Sequence, residues 1–161
     1  MALPEDPAER GYLRFFYRDW RPTRLGRIWS RAYAWVVGLG LLSGGLVALL
    51  VQDRKTGRLH SHVLVAATYE GRRYLVSMLG GRSTWVQDVW AANGAAFLKA
   101  GHVRPVVLTE IPPHERAPII KAWCQVAVSG RRHLSIPFDA PVSAFETITA
   151  DYPVFRVDPV R

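Results

Sequence analysis

Three cations and a hydroxyl fall within five consecutive residues, Arg54-Lys55-Thr56-Gly57-Arg58, between two apolar runs. Such a cluster can clamp an anion, because guanidinium and ammonium groups make charge-assisted hydrogen bonds to phosphate or carboxylate, and a glycine lets the backbone approach a ligand closely. His60 and Ser61, just downstream, add donors at the start of the next strand. A second concentration is Ser77-Met78-Leu79-Gly80-Gly81 followed by Trp85, where a strand ends in glycines and opens onto a helix N-terminus. Helix N-termini attract anions and polar heterocycles through their unpaired N–H groups. The plain alternatives are a solvated basic turn and an ordinary capped helix.

Signatures of protein-borne chemistry are missing. The sequence has no G-x-S-x-G elbow and no P-loop, and Gly38-x-Gly40 lacks both the third glycine and the preceding strand of a dinucleotide fingerprint. His60 and His62 would share one face of a strand, but further ligands at metal-binding spacing are not apparent, so no metal site is assigned. Cys124, the single cysteine, sits in an apolar helical pattern with Ile119, Ile120 and Trp123 and reads as a buried, inert thiol. One cysteine forms no intrachain disulfide, which excludes a disulfide scaffold and points to a cytoplasmic protein. No catalytic side chain is assigned.

The 161 residues suit one domain with a packed core, and 21 Lys and Arg against 13 Asp and Glu give a net charge of +8. Anionic partners are therefore favoured: nucleic acid, acidic lipid or a phosphorylated small molecule. Nucleic acid is set aside because the cations are scattered over several elements instead of lining one reading element. The opening Met1–Pro7 is acidic and Pro-containing where a signal peptide would be basic and then apolar, so cleavable export is not expected.

Residues 1–45 read as a basic, aromatic helical extension, with Tyr12, Phe15, Phe16, Tyr17 and Trp20 interleaved with Arg10, Arg14, Arg18 and Arg21. Its aromatics are expected to cover the core, with membrane-surface contact at the inner face of a bilayer as the alternative. Tyr33 to Val51 carries no charge and approaches the ~20 residues that cross a bilayer, but Gly44-Gly45 favours a break, with a helix ending near Leu42 and a strand from Leu46.

From Leu46 onward the pattern turns to strands and tight turns. Strands are expected at 46–52, 62–69 and 73–78, joined by the basic turn 53–58 and by Glu70-Gly71. Ser83-Thr84 then caps a helix with apolar Trp85, Val89, Trp90 and Ala92, stopped by Asn93-Gly94. Strands at 95–100 and 102–111, helices at 114–128 and 140–150, and a last strand at 154–157 complete residues 46–161. The order has no βαβ regularity, so the fold class is mainly β (α+β): a small barrel of about six mostly antiparallel strands with helices packed on it.

The basic turn Arg54–Arg58, the strand Tyr74-Leu75-Val76-Ser77-Met78-Leu79-Gly80, the helix Trp85–Ala92, the segment Glu115-Arg116-Ala117-Pro118-Ile119 and the stretch Tyr152-Pro153-Val154-Phe155-Arg156 follow one another in an order that resembles the deazaflavin-dependent nitroreductase family. The resemblance runs from about Leu46 to the C-terminus. It implies a split β-barrel related to the FMN-binding one and the deazaflavin coenzyme F-420 as cofactor. Position by position, it implies that Arg54, Lys55 and Arg58 meet the phosphate and acidic tail of the cofactor, with Thr56, Gly57, His60 and Ser61 shaping the same pocket. Ser77, Met78, Leu79 and Gly80 would lie along the ring, and Trp85 with Asp88 would brace the pocket from the helix. The sequence departs from the family pattern at Asp53, Leu59, His60 and Asp88, commonly Gly, Pro, Arg and Asn, and the two added carboxylates are expected to weaken anion binding.

The function this implies is an oxidoreductase transferring a hydride between reduced F-420 and an electrophilic acceptor such as a quinone, an enone or a nitro compound. An FMN-binding split-barrel oxidoreductase is the first alternative, and a non-catalytic flavin-binding or membrane-surface protein the second. The expected partners are the cofactor and a small hydrophobic substrate, in a monomer or homodimer.

Overall fold

The structure is a computed structural model and describes residues 17–18, 21–22 and 45–160. Near the N-terminus, β1 (Tyr17–Arg18) pairs antiparallel with β2 (Arg21–Pro22). These four residues are thus extended, where the sequence suggested a helical extension. A proline disfavours helical backbone in the residue before it and itself lacks the N–H a helix interior needs. The expected helix ending near Leu42 lies outside the described residues.

Six strands close into an antiparallel barrel: β3 (Leu46–Gln52), β4 (Leu59–Tyr69), β5 (Arg72–Val76), β6 (Ala95–Ala100), β7 (His102–Glu110) and β8 (Val154–Pro159), in the order β3-β4-β5-β8-β7-β6. The barrel with helices packed on it is the fold class read from the sequence. Closure runs through Leu49 opposite Leu98, and it removes the unpaired edges an open sheet would expose. The uncharged stretch Tyr33–Val51 does not continue as one helix, since Gly45 takes a φ of +73° and β3 begins one residue later. Among the described residues no helix is long and apolar enough to cross a membrane.

Local chemistry explains the turns. Tyr69 pairs with Arg72, and both intervening residues, Glu70 and Gly71, have positive φ, the backbone that the right-handed twist of a two-residue hairpin selects. Asn93 and Gly94, also at positive φ, end helix α1 (Thr84–Ala91) and turn the chain into β6. The two later helices are shorter than their apolar patterns suggested. Helix α2 covers Arg116–Val126 behind a 3-10 turn begun by Pro113, and α3 covers only Val142–Phe145 before tightening into a 3-10 turn.

Two apolar cores result. Inside the barrel, Val47, Leu49 and Val51 of β3 meet Trp85, Val86 and Val89 of α1 and Phe155 of β8. On the far side, Ile120, Trp123 and Cys124 of α2 pack with Tyr74, Val76, Phe145 and Val154. Helix α1 therefore plugs the barrel next to the β3–β4 turn, and this placement builds the candidate site.

Candidate functional site: the basic turn and the buried carboxylate behind it

Between Gln52 and Leu59, which pair across β3 and β4, the chain makes a tight six-residue turn. Its backbone closes twice: the Asp53 N–H donates to the Arg58 carbonyl at 2.8 Å, and the Gly57 N–H donates to the Asp53 carbonyl at 2.8 Å. Gly57 sits at a φ of +68°, where a side chain would be strained. The Asp53 carboxylate organises the rest. Its Oδ1 accepts the Lys55 N–H at 2.9 Å, the Thr56 N–H at 2.6 Å and the Thr56 hydroxyl at 2.9 Å, while its Oδ2 lies 3.5 Å from His60 Nδ1. The backbone and hydroxyl of Thr56 hold the Asp53 carboxyl below its ordinary range, with smaller help from the Lys55 N–H and His60.

The second carboxylate is farther along the chain and deeper. Asp88 on α1 has no solvent exposure, and its Oδ1 accepts both the Arg54 guanidinium at 2.9 Å and the Arg54 N–H at 3.2 Å. Arg54 thus ties the turn to the helix across 34 residues of sequence. The two acids that depart from the family pattern are therefore engaged within the protein: Asp53 shapes the turn and Asp88 anchors it. Lys55, Thr56, Gly57 and Arg58 remain exposed.

The other residues singled out from sequence divide by burial. The Ser77 hydroxyl is buried, lies 2.8 Å from the Ser83 hydroxyl and donates to the Gly80 carbonyl at 2.7 Å, so it is spent on the turn that starts α1. Gly80 takes a φ of +71°, and a Cβ there would stand 2.9 Å from the Asp151 carbonyl. β5 stops at Val76, two residues before the expected strand end, and in the turn that follows Met78 is half-buried and Leu79 is 62% exposed, which leaves these two side chains accessible. Trp85 is a core residue, edge-on to Phe155 with centroids 5.5 Å apart, and its contribution is to fix α1. His60 is exposed, with its Nδ1 turned toward Asp53; Ser61 is half-buried, and its hydroxyl oxygen is enclosed without a partner.

Three residues outside the sequence-predicted set bear on the site. Asp53 was legible as a turn former, since Asp with Thr three residues later is a pattern in which the carboxylate caps following N–H groups. His62, opposite Leu49 on the barrel-facing side of β4, has a buried Nε2 with no partner; spacing placed it beside His60 but could not show its surroundings. Arg116, nearly fully buried, donates to the carbonyls of Ile111 at 2.7 Å and Thr149 at 2.9 Å and to Glu110 at 2.8 Å, while Glu110 also accepts the Trp90 indole N–H at 2.7 Å. It fastens the segment before β8, whose Asp151 carbonyl backs Gly80, to the start of α2. Cys124 is buried, and burial pushes its thiol up to about 11, the inert character expected of it.

Comparison with known proteins places the fold. No protein-family model and no curated protein matches the chain. Among solved structures, a protein of unknown function from Agrobacterium tumefaciens matches with a TM-score of 0.53 at 12% identity, over 72% of this chain and 48% of that one. This chain thus spans about half that protein's length. An F-420-H2-dependent reductase, FDR-A, matches with a TM-score of 0.45 at 21% identity over 71% of this chain and 94% of that one. The heme storage protein HutZ from Vibrio cholerae matches with a TM-score of 0.46 at 11% identity, over 78% of this chain and 89% of that one. Of these, only the Agrobacterium tumefaciens protein exceeds a TM-score of 0.5, and at 12% identity it shows a likeness of fold alone.

Proposed function

We propose that the chain is a deazaflavin-dependent oxidoreductase, in which the turn 53–58 holds the anionic tail of coenzyme F-420 and the turn after β5, at Met78–Gly80, borders its ring. The carrying observation is the division of labour in the turn. Asp53 braces the turn with three hydrogen bonds, two from backbone N–H groups and one from the Thr56 hydroxyl, while Lys55 and Arg58 are exposed. Cations held on a preorganised turn lose less freedom on meeting an anion than cations on a mobile loop.

The residues present fit such a group. Lys55 and Arg58 supply charge for a tail, and the Gly57 backbone allows close approach. Met78 and Leu79 offer apolar surface for a ring beside Gly80. When bound, the deazaflavin supplies the hydride to a conjugated acceptor. The chain's own part is to bind, orient and shield; no side chain is assigned a proton transfer.

The test is a fluorescence titration of the full chain with the deazaflavin coenzyme, repeated with Lys55→Ala and Arg58→Ala. Each substitution is expected to weaken binding by roughly tenfold, the scale of one exposed charge-assisted contact. Preferential tight binding of FMN would replace the cofactor in this reading. Coenzyme binding with no turnover of quinones, enones or nitro compounds would make the chain a carrier.

A further inference from the structure

Asp88 is fully buried and only half satisfied: Oδ1 takes both bonds from Arg54, and Oδ2 has no partner. His62 Nε2 is likewise enclosed without a partner, on the face of β4 turned toward α1. Buried polar atoms left open are costly and each calls for an explanation, and the Asp88 charge is felt at the His62 ring. Arg54 is the member of the group that reaches solvent, because its side chain is 33% exposed and it belongs to the same turn as Lys55 and Arg58.

An anion arriving at the turn therefore competes with Asp88 for the same guanidinium. If Arg54 swings outward, the Asp88 carboxylate, which has no solvent exposure with Arg54 in place, stays behind without its counter-charge, an arrangement that is unfavourable unless another positive charge replaces the one removed. The groups acting on His62 are Asp88 from α1, Asp53 from the turn and His60 from its own strand, and two of these three favour a positive imidazole. Burial outweighs them and pushes the His62 imidazole below its ordinary range, which favours the neutral ring.

We propose that Arg54 is shared between Asp88 and the ligand's anion, and that its departure from Asp88 is balanced by protonation of His62, so that anion binding at the turn takes up a proton from solvent. This rests on the reading of the turn as an anion clamp, and it adds a buried sensor behind the clamp that answers to pH. The consequence is tighter anion binding as pH falls through the His62 titration, and release as it rises.

The experiment is an NMR titration of the His62 ring in the full chain, with and without saturating ethane-1,2-disulfonate, a dianion that keeps both charges across the pH range used. The expected result is a proton affinity of His62 raised about tenfold by the dianion, the effect of one newly uncompensated neighbouring charge. Arg54→Gln, a change at a partly exposed position, is expected to produce most of that rise with no dianion present. Movement of the Lys55 and Arg58 signals with His62 unchanged would overturn the proton linkage and leave the clamp standing. No movement of the turn at all would overturn both. A His62 titration that Arg54→Gln leaves at its wild-type position would also overturn the linkage.

Discussion

The Arg54 guanidinium ends 2.9 Å from a carboxylate with no solvent exposure, that of Asp88, and so an exposed basic turn is fastened to the helix that plugs the barrel. The pair is asymmetric, since one partner is partly in water and the other is not. Losing the arginine should therefore be felt as a buried charge left alone, more than as a surface ion pair broken. Arg54→Ala is expected to destabilise the fold by about 1–3 kcal/mol, less than a fully buried pair would lose because Arg54 is partly solvated. Urea unfolding of the two chains checks this, and an unchanged midpoint would show that Asp88 does not need its partner.

Acid should loosen the turn before it unfolds the barrel. The Asp53 carboxyl is held below its ordinary value by the Thr56 backbone and hydroxyl. A carboxyl depressed in the folded state contributes stability that is present above its unfolded value and disappears as pH falls through its folded value. The Lys55 and Thr56 amide signals are therefore expected to shift together below the usual carboxylate range, and Asp53→Asn should abolish that step. Amide signals that stay constant while Asp53 titrates would contradict the assigned bonds.

Gly80→Ala should be costly at a position with no ligand contact required. The residue has a φ of +71°, and its new methyl would meet the Asp151 carbonyl at 2.9 Å. Strain of both kinds predicts a loss of about 2 kcal/mol, read as a lowered thermal midpoint. Gly71→Ala is the control, since its φ is similar but no atom lies within 4 Å of a Cβ there, and it should lose less.

Arg116→Met keeps much of the buried volume and removes the donors. The carbonyls of Ile111 and Thr149 would then lose their guanidinium partner, with Glu110 released as well. The expected loss is about 3 kcal/mol by denaturant unfolding, with the larger effect on the segment leading into β8 when followed by amide exchange.

Cys124 should resist thiol reagents in the folded protein. Burial pushes its thiol up to about 11, so little thiolate is present at mildly alkaline pH, and the sulfur is enclosed as well. Reaction is expected to require unfolding and to follow the denaturation curve; rapid modification of the native chain would show that α2 opens readily.

Much of the barrel is legible in the sequence. Alternation and β-branched residues marked the strands, Glu70-Gly71 and Asn93-Gly94 marked the turns, and the run Trp85–Ala92 marked α1 within a residue or two, because each signal depends on neighbours a few positions apart. Helices α2 and α3 came out shorter than their patterns. Both open on Pro-led turns, and α3 tightens into a 3-10 turn, so apolar spacing alone overstated how far regular helix extends.

Composition and short-range spacing suffice to crowd three cations on one turn and to place glycines between a strand and a helix start. How those groups are used follows from the packed fold. It bonds Arg54 to Asp88 and buries Ser77 and Trp85. It also left His62 Nε2 and Asp88 Oδ2 enclosed without partners. The reason is distance: a charge's partner and its exposure are set by whichever segment the barrel closure brings alongside, and no local pattern records what lies 34 residues away.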